Sequence, residues 1–297
     1  MSVLIISVLA SRLSAEEAAS LMDPRENWRT LLDPVHLACR EYEDLNNINE
    51  SAALRYCLSA LWNLTDENPI NCRRFVEAGG LRTYGKLLKV FRAPHEQGSD
   101  STTDVSEYII DYEGKILGLL NNVSEVPMLR AEIVTEADFI TELVWRLHKY
   151  KDTERHYFAG GIIANVLNER GIDFDSNFEQ LATELSDCVA KWEIPTHEHV
   201  AYRSFRPFIP LLTDDHCMAV RHWALWALGL VSVKNPERYA QMLKRDGIYK
   251  IICDKLPIFI GDELSKTLTI RLSTVLSQVD DAGLLTSLKS DVSNQVQ

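Results

Sequence analysis

The chain has 297 residues, of which 46% are hydrophobic and 25% are charged, and its formal net charge is -12. This balance is normal for a globular protein, and only 13 glycines and 10 prolines argue against disorder and against an all-β chain with many turns. The acidic charge disfavours a nucleic-acid partner, because phosphate contacts need clustered Lys and Arg. It suits a partner that brings positive charge, although an acidic surface also serves solubility alone.

Six cysteines are scattered through the chain without a CxxC pair or a zinc-type spacing. Several stand in apolar helical stretches, which is typical of unpaired thiols in a reducing compartment, so we expect the cytosol or the nucleus. The apolar stretch near the start has no basic region before it and predicts a first helix rather than a signal peptide. No stretch reaches the ~18 apolar residues of a membrane span, so no membrane partner is expected.

Helical periodicity dominates the chain, and the alternation typical of strands is almost absent. The predicted helices are, in order, one or two short helices over residues 2–21 with a break near Ser14, then 26–45, Ser51–Thr65, Ile70–Glu77 after Pro69, Leu81–Arg92, Tyr108–Val123, Ala131–Lys149, His156–Leu167, Met218–Val233, a short helix ending at Leu243 and a last one from Ile248. Residues 93–105 are expected to form a polar loop, and residues 170–200 an insertion.

The order of a short helix, a glycine break, a helix and a long helix recurs along the chain. NPINCRRFVEAGGL and NPERYAQMLKRDGI share the first part of this layout. Asn122 and Asn165 are 43 positions apart, within the armadillo period of roughly 40–47 residues. Three helices per repeat can bury their apolar sides only by stacking on neighbouring repeats. The sequence therefore predicts an all-α armadillo-like superhelix (α-solenoid) over residues 1–290 and a polar tail over residues 291–297.

The long helices end on a recurring pair of polar residues three positions apart. The pairs are Asn63 and Asp66, Asn122 and Glu125, and the uncharged Asn165 and Asn168. Residues three apart are neighbours on one helix face, so stacked copies form a ladder of amides and carboxylates. A fourth copy, around Trp226, has lost the polar pair. We therefore predict a peptide-binding groove on the concave surface whose acidic end lies at the first two copies.

The two acidic residues predict recognition of an amine. Asp66 and Glu125 can flank one ammonium, whose three N–H donors would be satisfied by the two carboxylates and an Asn oxygen. Charge-assisted bonds of this kind contribute about 1.5–3 kcal/mol each. Asn63 and Asn122 would hold the peptide backbone, and Trp62 would limit the side chain beside the amine. In the alternative reading, Asn63 and Asp66 only cap helix ends and Trp62 is part of the core.

No other motif supports catalysis, a cofactor or a metal site. The segment His197–His199 lacks a third metal ligand. Residues 261–267 end like a phosphate loop but lack its glycine spacing, and they predict a helix start. His216 and His222 lie near Asp214 and Asp215 in the sequence, without a Ser or Cys placed as a nucleophile. We therefore expect no enzyme activity, no cofactor and no bound metal.

Four stretches resemble the carboxy-terminal armadillo region of the Zyg-eleven and Zer-one family. They are ALWNLTDENP, LLNNVSEVP, YRSFRPFIPLL and WALWALGLVSVKNPERYAQML, and the resemblance spans about residues 20–285. It implies a substrate receptor of a cullin-two RING ubiquitin ligase that recognises an exposed N-terminal glycine, the Gly/N-degron. The positions that match the family's amine pocket are Trp62, Asn63, Asp66, Asn122 and Glu125.

The resemblance covers only the armadillo region. Family members also carry a cullin-binding box and leucine-rich repeats before it, and neither is visible here. The chain is either the receptor's carboxy-terminal part or a shortened relative, and cullin-RING subunits would bind a region not visible in it. Two alternatives stay open, an importin-alpha-like adaptor for basic peptides and a non-catalytic armadillo scaffold. Grooves of the importin-alpha kind resemble arrays of Trp with Asn four residues later, whereas Asp66 follows Trp62 and Leu230 follows Trp226.

Overall fold

The computed structural model describes residues 3–23, 25–42, 50–97, 107–136, 138–149, 153–172, 177–192 and 204–277. These residues form sixteen α-helices and one short 3₁₀ helix, and none of them lies in a β-strand. The predicted all-α, armadillo-like fold is confirmed. The chain divides into two compact units, Met1–Lys149 and Tyr150–Gln297. Across the described residues, no helix has the length and apolar character needed to cross a bilayer.

The first unit contains nine α-helices within its described residues. They are α1 (Val3–Ala10), α2 (Ala15–Leu21), α3 (Arg25–Glu41), α4 (Ala52–Thr65), α5 (Pro69–Glu77), α6 (Gly80–Gln97), α7 (Glu107–Ser124), α8 (Arg130–Thr135) and α9 (Phe139–Lys149), with the 3₁₀ helix Pro127–Leu129 before α8. Ser14 begins α2 with a capping box, in which the Ser14 and Glu17 side chains each accept a hydrogen bond from the other's backbone N–H. The predicted break near Ser14 is therefore confirmed.

Two complete three-helix repeats, α2–α4 and α5–α7, stack on each other in the first unit. α3 packs on α6 and α4 packs on α7, so equivalent helices are neighbours, as stacked repeats require. α4 contributes Leu58, Leu61 and Leu64 to the core. Because α4 and α7 are neighbours, their polar carboxy-terminal ends lie side by side.

A buried ion cluster joins α6, α7 and α9. The fully buried Arg146 of α9 donates hydrogen bonds to Glu113 Oε1 of α7 and to Glu142 Oε2, each at 2.9 Å. The same guanidinium donates to the Leu88 carbonyl oxygen of α6 at 2.7 Å. Buried charges are tolerated when they are paired and hydrogen-bonded in this way. The cluster therefore fixes the relative positions of three helices near the start of α7.

The second unit contains seven α-helices within its described residues. They are α10 (Thr153–Leu167), α11 (Phe178–Lys191), α12 (Phe208–Thr213), α13 (Met218–Lys234), α14 (Pro236–Arg245), α15 (Ile248–Phe259) and α16 (Glu263–Leu276). α13 packs on both α10 and α16. Trp223 and Trp226 of α13 are buried, and Trp223 lies against Gly160 of α10. The two tryptophans thus lie in the core, and the predicted helix start near Gly261 is confirmed by α16.

Two sequence-based boundaries are wrong. α6 continues to Gln97, so the predicted loop begins too early, because a polar stretch is also compatible with a solvated last helical turn. The predicted helix Ala131–Lys149 is split into α8 and α9, since Asp138 has a left-handed φ of 61° that an α-helix cannot adopt. Residues 170–200 contain α11, and their reading as an insertion stays a prediction.

Several predictions fall outside the described residues. They concern the segment His197–His199 and the polar tail over residues 291–297. A single repeat domain over residues 1–290 stays a prediction.

Candidate peptide-binding site

The end of α4 forms the first half of the candidate site. Asp66 leaves the helix with an extended backbone (φ -60°, ψ 121°), and Glu67 follows in the left-handed region at φ 49°. Asn68 then begins α5, and its side chain accepts the Asn71 N–H. Asn71 Nδ2 in turn donates to the Leu64 carbonyl oxygen at 2.8 Å. The side chain that caps α5 thus belongs to Asn68, and this tight turn fixes where Asp66 emerges.

The end of α7 forms the second half. Asn121 Nδ2 donates to Glu125 Oε1 at 3.0 Å, and the Glu125 N–H donates to the Asn121 carbonyl oxygen at 3.1 Å. Ser124 Oγ donates to the same carbonyl at 2.7 Å. Arg130 Nε donates to the Ser124 carbonyl oxygen at 2.8 Å. The Glu125 carboxylate is therefore held in place by Asn121.

Asn122 and Cys72 join the two helix ends. Asn122 Nδ2 donates to the Trp62 carbonyl oxygen at 3.3 Å and to Thr65 Oγ1 at 3.2 Å. The Cys72 thiol of α5 lies 3.4 Å from the Thr65 carbonyl oxygen and 3.6 Å from that of Asn122. The amide nitrogen of Asn122 is thus engaged inside the protein. Its side-chain oxygen is the atom that can accept a hydrogen bond from a ligand.

Trp62 packs across the stacked repeats onto α7. A Cβ built at Gly118 would lie 2.4 Å from Cε2 and 2.6 Å from Cζ2 of the indole. Gly118 precedes Asn122 by four positions, so both residues lie on the same face of α7. Only glycine admits the indole at this depth. The half-buried indole therefore lies on the α7 face that carries Asn122, and we refer to it as the wall of the site.

The predicted carboxylates interact electrostatically. Burial, followed by the negative charges of Asp66 and Glu67, raises the pKa of Glu125 to about 8. The pKa of the Cys72 thiol is raised as well, first by burial and then by the charges of Glu125 and Asp66. Like charges that disfavour each other's ionised form favour a cation placed between them. The chemistry that fits this arrangement is binding of a small cationic group.

Four of the five predicted pocket residues are brought together, and we refer to them as the α4–α7 pocket. They are Trp62, Asp66, Asn122 and Glu125. The fifth, Asn63, is exposed on α4 next to Trp62 and takes no part in the contacts above. That these residues bind a peptide stays a prediction.

Four further residues of the pocket were not predicted. They are Gly118, Asn121, Cys72 and Glu67. Gly118 had a usable signal, because a glycine in mid-helix four positions before Asn122 lies on the same face. The other three are placed by the α4–α5 turn and the direction of the α7 face, and no spacing in the sequence marks them.

The weaker candidates Asn165 and Asn168 lie in the second unit, at the end of α10. Their exposed fractions are 2% and 8%. Asn168 Oδ1 is buried and accepts no hydrogen bond from the described residues. Burial of this kind favours a role in holding the end of α10. That the two amides extend a groove stays a prediction.

The contacts of His222 are with other residues than Asp214 and Asp215, near which it lies in the sequence. Its Nε2 lies 2.6 Å from Oδ2 of Asp262, the N-cap residue of α16, and its Nδ1 lies 2.9 Å from Ser186 Oγ in the middle of α11. Asp214 pairs instead with His216. The imidazole therefore ties α11 to α16. Among the described residues, no group of three or more His, Cys, Asp or Glu side chains is arranged to hold a metal ion.

Residues 1–278 match the family described as Protein zer-1 homolog-like, C-terminal domain. The chain belongs to this family. Protein zer-1 homolog of Mus musculus is 29% identical over 240 residues, which are 79% of this chain and 28% of that protein. Protein zer-1 homolog of Homo sapiens is 28% identical over 239 residues, 79% of this chain and 29% of that protein. Zyg eleven-related protein 1 of Caenorhabditis elegans is 27% identical over 197 residues, 64% of this chain and 20% of that protein.

The family resemblance seen in the sequence is thus confirmed. The zer-1 homolog-like domain spans less than a third of the length of these relatives. Among solved structures, a designed armadillo repeat protein in complex with the peptide (KR)4 is 18% identical, with a TM-score of 0.42. That likeness covers 92% of this chain and 90% of the designed protein.

Proposed function

We propose that this zer-1 homolog-like domain is the substrate-recognition module of a cullin-RING ubiquitin ligase, and that it binds an exposed N-terminal glycine of substrate proteins. The proposal rests above all on one observation, the hydrogen bonds from Asn122 to Trp62 and Thr65 that join the end of α7, with Glu125, to the end of α4, with Asp66. The proposed task of the domain is binding, and the proposal includes no catalytic group or cofactor.

An α-ammonium group fits the charge of the α4–α7 pocket. It presents three N–H donors, and the Asp66 carboxylate, the Glu125 carboxylate and the Asn122 side-chain oxygen are acceptors. Burial is the main cause of the raised pKa of Glu125, and the incoming positive charge would relieve the second cause, repulsion from Asp66 and Glu67. An acetylated amino terminus has neither the charge nor the three donors, so it should bind weakly.

A first residue without a side chain fits the wall of the pocket. The indole of Trp62 is seated on Gly118, where even a Cβ has no room, so it cannot retreat toward α7 to accommodate a larger first residue. Glycine places its ammonium beside the carboxylates without pressing on this ring. Asn63 is exposed on α4, and its proposed role is to hold the next peptide unit.

The proposed role in a ubiquitin ligase is supported by the family to which the chain belongs and not by the α4–α7 pocket. Because the domain spans less than a third of its relatives, we place the contacts with cullin-RING subunits in a region outside this chain. The six cysteines are reduced thiols, which is typical of the cytosol or nucleus, where such a ligase would meet its substrates.

Calorimetry with short peptides tests the proposed specificity. A peptide that begins with glycine should bind at micromolar strength, and its acetylated form about tenfold or more weakly, on the order of 1.4 kcal/mol. A leucine-first peptide should also lose affinity because of the indole wall. Equal affinity of the free and acetylated glycine peptides would overturn the amine pocket. Preferential binding of an internal Lys/Arg peptide would support an adaptor function instead.

Two pairs of variants separate the pocket from general charge. Asp66→Asn with Glu125→Gln should abolish the preference for the free amine. Asp33→Asn with Glu77→Gln changes the net charge equally at two exposed positions and should leave affinity within about twofold. If both pairs lose affinity equally, the attraction is a long-range property of the acidic chain and no pocket exists.

A further inference from the structure

A cavity of about 340 Å³ lies between α3 and α6, and we call it the α3–α6 cavity. It shares no lining residue with the α4–α7 pocket. The seven residues that line it include two arginines, one lysine and one histidine, and none is acidic. The chain as a whole has a net charge of -12, whereas the lining of this cavity is positively charged.

The cationic side chains come from matched positions on the two helices. Arg40 follows His36 by four residues on α3, and Lys86 follows Arg82 by four on α6, so each pair lies on one helix face. Arg82 Nε reaches Glu136 Oε1 only at 3.8 Å, and the Arg82 side chain is 76% exposed. Such a long and exposed ion pair contributes little. Arg82 is therefore available to another anion.

The floor of the α3–α6 cavity is fixed by its own hydrogen bonds. His36 Nε2 lies 2.9 Å from Thr83 Oγ1, and Thr83 Oγ1 donates to the Gly79 carbonyl oxygen at 3.1 Å. Because a hydroxyl has one hydrogen, His36 Nε2 must be the donor in the first contact. Cys39 Sγ donates to the Thr83 carbonyl oxygen at 3.5 Å. These polar groups satisfy one another, and no acidic residue lines the cavity beside its cationic side chains.

Glycine keeps one side of the α3–α6 cavity open. Gly79 has a left-handed φ of 80°, and a Cβ built on it would meet nothing within 4 Å. A ligand can therefore approach the backbone at the start of α6 without meeting a side chain. The first turn of α6 also contains no acidic residue that would repel an anion there.

We propose that the α3–α6 cavity binds a phosphate monoester. Such a group carries a charge of about -1.5 to -2 at neutral pH and three strong acceptor oxygens. The guanidinium groups of Arg40 and Arg82 suit adjacent phosphate oxygens, and the Lys86 ammonium adds a point charge. A single carboxylate would neutralise only one of these three cations. The ester can belong to a phosphorylated protein side chain or to a small molecule.

Fluorescence anisotropy with a labelled peptide tests this proposal. The peptide carries one phosphoserine and an acetylated amino terminus, so that the α4–α7 pocket has no amine to bind. It should bind about tenfold or more tightly than its unphosphorylated form. Equal binding of the two peptides would overturn the proposal. Because no free amine is present, the result is independent of the proposed glycine recognition.

Two charge-matched triple variants locate the binding. Arg40→Gln, Arg82→Gln and Lys86→Gln together should weaken the phosphopeptide by about tenfold or more. Arg12→Gln, Lys191→Gln and Lys250→Gln remove the same charge from exposed positions elsewhere and should change affinity by less than about twofold. An equal loss in both would overturn the site. If the first triple variant melts early, Arg82→Gln alone, at an exposed position, must still weaken binding.

Competition with inorganic phosphate identifies the source of the ester. Displacement only at concentrations about tenfold or more above those needed for the unlabelled phosphopeptide supports a protein-borne phosphate. Displacement at equal concentration supports a small phosphate ester. A complete failure of inorganic phosphate to displace the peptide contradicts a phosphate site.

Discussion

Trp62 and Gly118 contact each other across two stacked repeats, with the indole in the space that any Cβ at position 118 would occupy. The indole that forms the wall of the α4–α7 pocket thus belongs to one repeat, and the glycine on which it packs belongs to the next. Neither repeat alone forms the pocket, so its shape depends on how closely α4 and α7 pack.

Gly118→Ala should displace the indole and weaken the glycine peptide by about tenfold. Alanine favours a helix by about 1 kcal/mol over glycine, but the 2.4 Å approach to Cε2 offsets this gain, so stability should not rise. Gly229→Ala on α13 is the matched control, because its Cβ would meet nothing within 4 Å. It should gain stability and keep full affinity. Calorimetry measures the affinity and urea melts measure the stability of each variant. Unchanged affinity in Gly118→Ala would contradict the role of Gly118 in placing the indole.

The raised pKa of Glu125 predicts that stability falls as pH rises. A carboxyl whose pKa moves from 4.5 unfolded to about 8 folded binds its proton more tightly in the folded state. Its contribution to the free energy of unfolding is therefore highest below pH 4.5 and declines up to about pH 8. Glu125→Gln removes this decline, so it should be more stable than the wild-type protein at pH 8 and similar at pH 5. Parallel stability curves in urea melts would contradict the shift.

The carboxyl group of Glu125 should release a proton when the glycine peptide binds. An ammonium favours the ionised carboxylate, so affinity should fall by up to about tenfold per pH unit below 8. Above pH 8 the peptide amine itself loses its charge, so the affinity for the glycine peptide should be highest near pH 8. The charges facing Glu125 are Asp66 and Glu67 from the α4–α5 turn and Arg130 from α8, with the Cys72 thiol on α5. Calorimetry in buffers of different ionisation enthalpy counts the released protons, and a count of zero at pH 7 would contradict the prediction.

Asn121→Leu should raise the pKa of Glu125 further. The Asn121 hydrogen bond favours the ionised carboxylate and lowers this pKa. Leucine has a similar volume and cannot donate, so the glycine peptide should bind more weakly at pH 7. Carbon-13 NMR of the glutamate carboxyls measures the titration. An unchanged midpoint would show that the bond at 3.0 Å does not control Glu125.

Arg146→Met should destabilise the first unit by about 3–5 kcal/mol, because it leaves the carboxylates of Glu113 and Glu142 buried without their common partner. A triple variant with Leu at both glutamate positions and Met at position 146 should recover most of this loss. Urea melts compare the two. A small effect of Arg146→Met alone would contradict the buried character of the cluster.

The sequence was informative where repetition carried the signal. Asn63 and Asp66 recur as Asn122 and Glu125, and stacked repeats place equivalent positions side by side, so the meeting of the two carboxylates was predictable. The direction of each amide was not. Asn122 points its nitrogen back at α4, which is decided by how two helices pack and not by residue spacing.

The apolar pattern of the sequence likewise gave no sign of the residues with a left-handed backbone conformation. Asp138 divides a stretch whose apolar period is continuous, and Glu67 turns the chain sharply after Asp66. Both conformations depend on the surrounding packing, because a non-glycine residue rarely adopts them without such support.

The thiol of Cys72 has one hydrogen and two carbonyl acceptors, those of Thr65 and Asn122. The ends of α4 and α7 therefore share this hydrogen, and any movement that separates them must shift it toward one side. The S–H stretching vibration absorbs in a part of the infrared spectrum where proteins are otherwise nearly transparent. A difference spectrum against Cys72→Ala would isolate this band, so the protein carries an optical probe of its own pocket that needs no label.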